Sequence, residues 1–201
     1  MSATIVQLVQ GSDAWLAHRR NLFNASETPA VLGLSPWQTT YQLWLVKTGR
    51  TETEVTAPMR RGTALEPQAR LAYEERTGLI MQPLVLQDGR FSASLDGMTL
   101  AGDLVLEVKC PYRGQGSELW QTVEGGEVPA HYVAQVQHQL MVSGASIAHL
   151  WVFDGTQGLL KEIKPDPAMH DRIRAAWDAF AEFLDSDTPP AARRCRLSAA
   201  R

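Results

Sequence analysis

Three residues in this chain have the types and spacing to do chemistry together: Asp96, in Ser94-Leu95-Asp96-Gly97, and the pair Glu107 and Lys109, in Leu104-Val105-Leu106-Glu107-Val108-Lys109. In an extended strand side chains alternate faces, so Glu107 and Lys109 project to one side with Val105, while Leu104, Leu106 and Val108 face the other. Asp96 can come from a neighbouring strand. Two carboxylates from adjacent strands can hold a hard divalent cation such as Mg²⁺, which prefers oxygen ligands and keeps several waters. A lysine beside such a site can favour hydroxide, or position the attacking water and offset charge on a phosphate in the transition state. Taken alone, an acid and a lysine two apart on a strand also describe a solvated sheet edge. The metal-site reading depends on what surrounds them.

The elements that would position these residues can be read from capping and periodicity. Ser12 and Asp13 cap a first short helix with Trp15, Leu16 and Arg19, and Ser26 caps a second that ends near Gly33. Ser35-Pro36 opens a helix from Trp37 to Thr48, stopped by Gly49. Residues 51–57 form a loop, and Met59-Arg60-Arg61-Gly62 leads into a helix from about Ala64 to Thr77. From Met81 the period becomes strand-like, with a turn at Asp88-Gly89, a strand from Phe91 to Leu95 and the strand Leu104 to Lys109. A short amphipathic piece contains Leu119 and Trp120, and Pro129 opens a helix running to about Val142. Ile147 to Phe153 and Leu159 to Ile163 form an antiparallel pair, and Pro167 to Leu184 is a last amphipathic helix. The order predicts a mixed α/β core.

Composition sets limits. The 201 residues, 44% of them hydrophobic, suffice for one substantial core, so residues 1–188 are expected to form a single domain and 189–201 a mobile basic tail. The formal net charge of −3 gives no bulk basic signature, so any nucleic-acid contact must come from local patches. Cys110 and Cys195 lack the paired spacing of zinc or iron–sulfur ligands and read as free thiols of a reducing compartment. With no basic leader and no long apolar stretch, the expectation is a cytoplasmic protein that makes no membrane contact.

The chain resembles the PD-(D/E)xK nuclease superfamily, and within it the phage lambda exonuclease or YqaJ-type viral recombinase family. The resemblance rests on Asp13-Ala14-Trp15-x-x-x-Arg19 with Ala25-Ser26-Glu27, Gly62-x-x-x-Glu66, Ser94-x-Asp96-Gly97, Leu106-Glu107-Val108-Lys109-Cys110-Pro111 and Ala134-Gln135-Val136-Gln137. Each is weak alone, but five in the family's order make chance agreement improbable. It implies a restriction-endonuclease-like core, a central mixed sheet flanked by helices. It also implies Asp96, Glu107 and the Val108 backbone carbonyl as metal ligands, with Glu66 joining directly or through water. Lys109 would lie beside the nucleophilic water, and Gln135 would contact that water or the substrate phosphate. The cofactor would be Mg²⁺, with Mn²⁺ able to substitute.

By the same resemblance, Arg19, Ser26 and Ser94 would form a pocket for the 5′-terminal phosphate of DNA, and Met59 would be a wedge at the duplex end. At Ser35 the family's minor-groove arginine is missing. The implied activity is a 5′-to-3′ exonuclease on linear double-stranded DNA, encoded by a phage or prophage in a bacterial host. It would act as a homotrimeric ring and leave 3′ overhangs for a single-strand annealing protein. An endonuclease of the same superfamily and a catalytically silent DNA-end-binding module are the alternatives.

Overall fold

The computed structural model describes residues 3–192. In chain order the elements are β1 (Thr4–Val6), α1 (Asp13–Arg20), β2 (Phe23–Asn24), a 3₁₀ turn (Ala25–Glu27), α2 (Thr28–Val31), α3 (Thr40–Lys47), α4 (Ala57–Thr77), β3 (Gln82–Asp88), β4 (Phe91–Met98) and β5 (Leu104–Lys109). A second 3₁₀ turn (Gly114–Gly116), α5 (Glu118–Glu124), α6 (Ala130–Ser143), β6 (Ile147–Phe153), β7 (Gly158–Ile163) and α7 (Pro167–Asp185) follow.

The strands form one mixed sheet in the order β1-β3-β4-β5-β6-β7, with β2 also on β4. β5 and β6 run parallel, as do β2 and β4, and the other pairings are antiparallel. The parallel β5–β6 pair requires a crossover, which α5 and α6 supply. The alternation expected along β5 is observed. Val105 joins the larger core with α6 and α7, whereas Leu104, Leu106 and Val108 join Ala69 and Tyr73 of α4 in the smaller core. Helices thus cover both faces, as the mixed α/β expectation required.

Several boundaries differ from the sequence reading for local reasons. Ser26 does not cap a helix: it lies inside the first 3₁₀ turn, and no side chain caps α2. The helix expected from Trp37 starts instead at Thr40, because Thr39 and Gln42 make a reciprocal capping box. Ser35 closes a turn before it, accepting from the Trp37 and Gln38 amides at 3.3 and 3.1 Å. α4 begins seven residues earlier than expected, at Ala57, capped by Thr56 and with Pro58 in its first turn. Gly62 and Pro67, both poor helix formers, disguise this start. Glu66 therefore lies in mid-helix, beyond the first turn where the helix dipole favours an acid. β4 continues to Met98 and takes in Asp96, and β1 and β2 were not anticipated.

Of the expected C-terminal tail, residues 189–192 are described and Pro190 is buried. The remainder of that segment, with Cys195, lies outside the described residues. No helix among the described residues is long and apolar enough to cross a membrane.

Candidate active site and phosphate pocket

The site is built around an irregularity in β4. In the β3–β4 ladder Gln82 pairs with Met98 and Leu84 with Leu95, so two residues, Asp96 and Gly97, stand opposite Pro83 alone. This is a β-bulge, which re-aims side chains and often lies beside functional sites. Pro83 has no amide hydrogen to contribute to the ladder there, a position where a strand tolerates proline. On its other edge β4 pairs first with β2, at Phe91 and Ser92, and then with β5, at Gly97 and Met98. Residues 93–96 have no strand partner on that edge, and Ser94 and Asp96 occupy this notch.

Side chains take over hydrogen bonds that the ladder does not make. The Val108 amide donates to Asp96 Oδ2 at 2.7 Å, and Arg70 Nη1 donates to the Asp96 carbonyl at 2.9 Å. Arg70 also pairs with Glu66 one helical turn away, at 3.2 Å, tying α4 to the bulge.

Glu107 is 2% exposed. One carboxylate oxygen accepts from Lys109 Nζ and from Gln135 Nε2, the latter at 2.7 Å, and the other accepts from Gln139 Nε2. A buried carboxylate is tolerated only when its lone pairs are satisfied in this manner. Lys109 Nζ is also 3.4 Å from Gln135 Oε1 and 5.2 Å from the centre of the Tyr132 ring. Burial opposes the Lys109 charge, but Glu107, Tyr132 and Asp96 outweigh it and hold the ammonium above its ordinary pKa. Lys109 is therefore a cation and a donor at neutral pH.

Burial, and then the neighbouring charges of Glu107 and Glu66, push the Asp96 carboxyl well above the usual carboxylate range. An acid destabilised by its acidic neighbours is what a divalent cation would relieve. The donor set of Asp96, Glu107, Glu66 and the Val108 carbonyl contains only oxygen, and the Cys110 thiol next to it is pushed up to about 11, first by burial and then by Asp96. These residues fit a hard cation. Among the described residues, however, no three His, Cys, Asp or Glu side chains are already gathered as a metal cluster. Loading would require Glu107 to exchange part of its contacts with Lys109 and the two glutamines.

A second constellation adjoins the first. Arg19 Nη2 donates to Ser26 Oγ at 2.9 Å, its guanidinium lies 4.5 Å from the Trp15 ring, and Trp15 Nε1 donates to Ser94 Oγ at 2.8 Å. All three residues expected to take a phosphate are thus linked, and Ser94 is two residues from Asp96. Because Ser26 is not spent on capping, its hydroxyl is available to Arg19. Burial lowers the Arg19 pKa, offset in part by Glu27 at 3.8 Å. Lys47 Nζ braces the pocket from α3, meeting Glu27 at 2.6 Å and the carbonyls of Arg19 and Leu22 at 2.8 and 2.6 Å. Met59 lies half exposed in the first turn of α4.

Gln139, Arg70, Trp15 and Lys47 were not singled out from sequence for these roles. Gln139 carried a usable signal, since it lies four residues after Gln135 and hence on the same helix face. Lys47 carried none, because only folding brings it to Arg19.

The chain is similar to known proteins in both sequence and fold. The YqaJ-like viral recombinase domain matches residues 14–146, a stretch that includes both constellations. The protein YqaJ of Bacillus subtilis (strain 168) is 30% identical over 179 residues, which is 84% of this chain and 54% of that protein. The chain spans about half the length of that curated relative. The crystal structure of an alkaline exonuclease, LHK-Exo, from Laribacter hongkongensis superposes with a TM-score of 0.74 at 26% identity, covering 88% of this chain and 94% of that one. The same exonuclease in complex with dAMP matches with equal score and coverage at 25% identity. A phage-related exonuclease from Haemophilus somnus 129PT, 15% identical with a TM-score of 0.68 over 83% of this chain and 96% of its own, shares the fold. These likenesses agree with a restriction-endonuclease-like core, a central mixed sheet flanked by helices. With two thirds of its length matched, the chain belongs to the YqaJ-like viral recombinase domain family.

Proposed function

We propose that the protein is a metal-dependent 5′-to-3′ exonuclease on linear double-stranded DNA, leaving 3′ single-stranded overhangs for recombination by strand annealing. The observation that carries the hydrolytic reading is the convergence of Asp96, Glu107, Lys109 and Gln135 at the β4 bulge. Family membership and the likeness to LHK-Exo, an alkaline exonuclease whose structure was also solved with dAMP, support a nuclease acting on DNA.

Asp96, Glu107 and the Val108 carbonyl, with Glu66 directly or through water, would hold Mg²⁺ or, in substitution, Mn²⁺. When bound, that cation would supply Lewis-acid stabilisation to the phosphoryl and leaving oxygens. Lys109 Nζ donates to the attacking water and offsets charge developing on the phosphate. Gln135 orients the same water or a phosphate oxygen through its amide. Arg19, Ser26 and Ser94 take the 5′-terminal phosphate by charge-assisted hydrogen bonds and so set the end from which the strand is consumed. Met59 would serve as the wedge at the duplex end.

A homotrimeric ring threaded by DNA would let a chain of net charge −3 act processively through a locally basic lumen. A single-strand annealing protein would be the functional partner.

A time course on linear duplex labelled separately at each end, with Mg²⁺ or chelator and beside a covalently closed circle, tests this reading. Release of the 5′ label first, full dependence on the cation and survival of the circle are expected. Asp96→Ala, Glu107→Ala and Lys109→Ala should each lower the rate by at least about 100-fold. Cutting of the circle would make the enzyme an endonuclease, and appreciable hydrolysis by Asp96→Ala would remove the metal assignment. Sedimentation of the native protein at the mass of one chain only would exclude the ring.

A further inference from the structure

Trp37 is 63% exposed, an unusual state for the largest apolar side chain, and it is not isolated. Its ring centre is 4.8 Å from that of His131, nearly perpendicular to it, and 6.1 Å from that of Tyr132. The rings of His131 and Tyr132 are 4.2 Å apart, and Lys109 Nζ lies 5.2 Å from the Tyr132 ring. Three aromatic rings therefore run without a break from the lysine of the candidate active site to solvent. The row is held at both ends. Ser35 fixes the backbone of Trp37 through the Trp37 and Gln38 amides, and His131 and Tyr132 belong to the first turn of α6, the helix that also carries Gln135 and Gln139. Beneath the outer ring, His131 Nε2 is buried with no hydrogen-bond partner among the described residues.

We infer that Trp37 is a stacking platform for an unpaired nucleobase of the DNA strand entering the site. The inference rests on the nuclease reading above and deepens it by assigning a base-binding position beside the phosphate chemistry. Every nucleobase presents a π-face, so a flat exposed indole takes any of the four. A base can reach Trp37 only when it is out of the duplex stack, as the terminal nucleotides of a strand being consumed must be. The platform would hold the strand after each cleavage without reading its sequence, as a processive exonuclease needs.

The test is equilibrium binding of a short 5′-phosphorylated oligo(dT), labelled at its 3′ end, measured by fluorescence anisotropy in chelator so that no hydrolysis intervenes. Trp37→Ala should weaken binding by about 5- to 100-fold and Trp37→Phe should retain most of it. In a series of the same oligonucleotide carrying one abasic position at a time, one position should reproduce that loss with the wild-type chain. The same position should cost nothing further in Trp37→Ala. An unchanged melting temperature shows that Trp37→Ala keeps its fold, as expected for an exposed side chain. Equal binding by wild type and Trp37→Ala, or base removal that adds to the substitution, would overturn the platform and leave the nuclease reading standing. If wild type binds no oligonucleotide at all, the platform falls, and the nuclease reading is decided separately by the duplex time course.

Discussion

Arg19 and Arg20 are adjacent and chemically identical, yet their neighbours assign them different work. Arg19 meets Ser26 and the Trp15 face, while Arg20 turns to an open cleft with Lys47, Arg50 and Arg90. Only Arg19 shares a continuous hydrogen-bonded and stacked path with Ser94 and hence with the strand carrying Asp96. On the proposed role, replacing Arg19 by alanine would remove a charged partner from the phosphate, an interaction worth about 1.5–3 kcal/mol, or roughly a 10- to 100-fold change in rate. The loss should fall on 5′-phosphorylated duplex and leave 5′-hydroxyl duplex little affected. Rates measured on both substrates decide the matter, and a parallel drop on the two would show that Arg19 holds something other than the terminal phosphate. Gln139 has an analogous duty toward Glu107, whose second carboxylate oxygen it satisfies from inside the core.

The elements matter chiefly where two of them come unusually close. Gly97 completes the β4 bulge, and a Cβ there would lie 2.7 Å from Met81 Cβ and 3.3 Å from Leu106 Cβ. Both neighbours are the stiff first atoms of buried side chains, so a methyl group can be admitted only by shifting β4 against Met81, just before β3, as well as against β5. Gly97→Ala should therefore lose about 1–3 kcal/mol of stability, read from urea unfolding. It should also lower hydrolysis beyond what the folded fraction explains, because Asp96 moves with the strand. Unchanged stability and rate would mean that the strands have room to spare. α6 serves the site differently, by presenting Tyr132, Gln135 and Gln139 along one face while burying Ala134 and Leu140 on another.

At the scale of the whole molecule, a buried polar cluster joins the helical layer. His138 is fully buried, its Nδ1 is 2.6 Å from Thr28 Oγ1, and Trp177 Nε1 donates to the same hydroxyl at 3.0 Å. The hydroxyl accepts from Trp177, and its contact with Nδ1 is open to either tautomer of a neutral imidazole. Burial, followed by Arg174 and His170, lowers the His138 pKa to about 3. The unfolded chain takes up this proton near 6.5 and the folded chain does not, so stability is complete above that pH and falls as acidification proceeds toward about 3. Between pH 7 and 5 the single group should cost about 2 kcal/mol. His131, His149 and His170, also lowered chiefly by burial, add in the same direction. Asp96, held above its ordinary value, acts oppositely, so urea unfolding is best compared at the two pH values in Asp96→Asn. A stability that does not fall on acidification would show that His138 is accessible to protons in the native state.

Much of the site was legible in the residues themselves. Alternation along 104–109 is a property of any extended strand, so the common side of Glu107 and Lys109, and the core on the other, followed from sequence order alone. The types and order of Arg19, Ser26, Glu66, Ser94, Asp96 and Gln135 carried the family. Other features depended on contacts between segments distant in sequence, which no local pattern encodes. The bulge opposite Pro83 needs β3 and β4 in register, and the notch at residues 93–96 needs β2 and β5 to share one edge of β4. The brace of Lys47 on Arg19, the second glutamine on Glu107 and the aromatic row from Lys109 to Trp37 arise only when helices from different parts of the chain close over the sheet. Sequence determined which groups were available for the chemistry; tertiary packing decided which of them meet, since charge and hydrogen bonding act over a few ångströms of space and not along the chain.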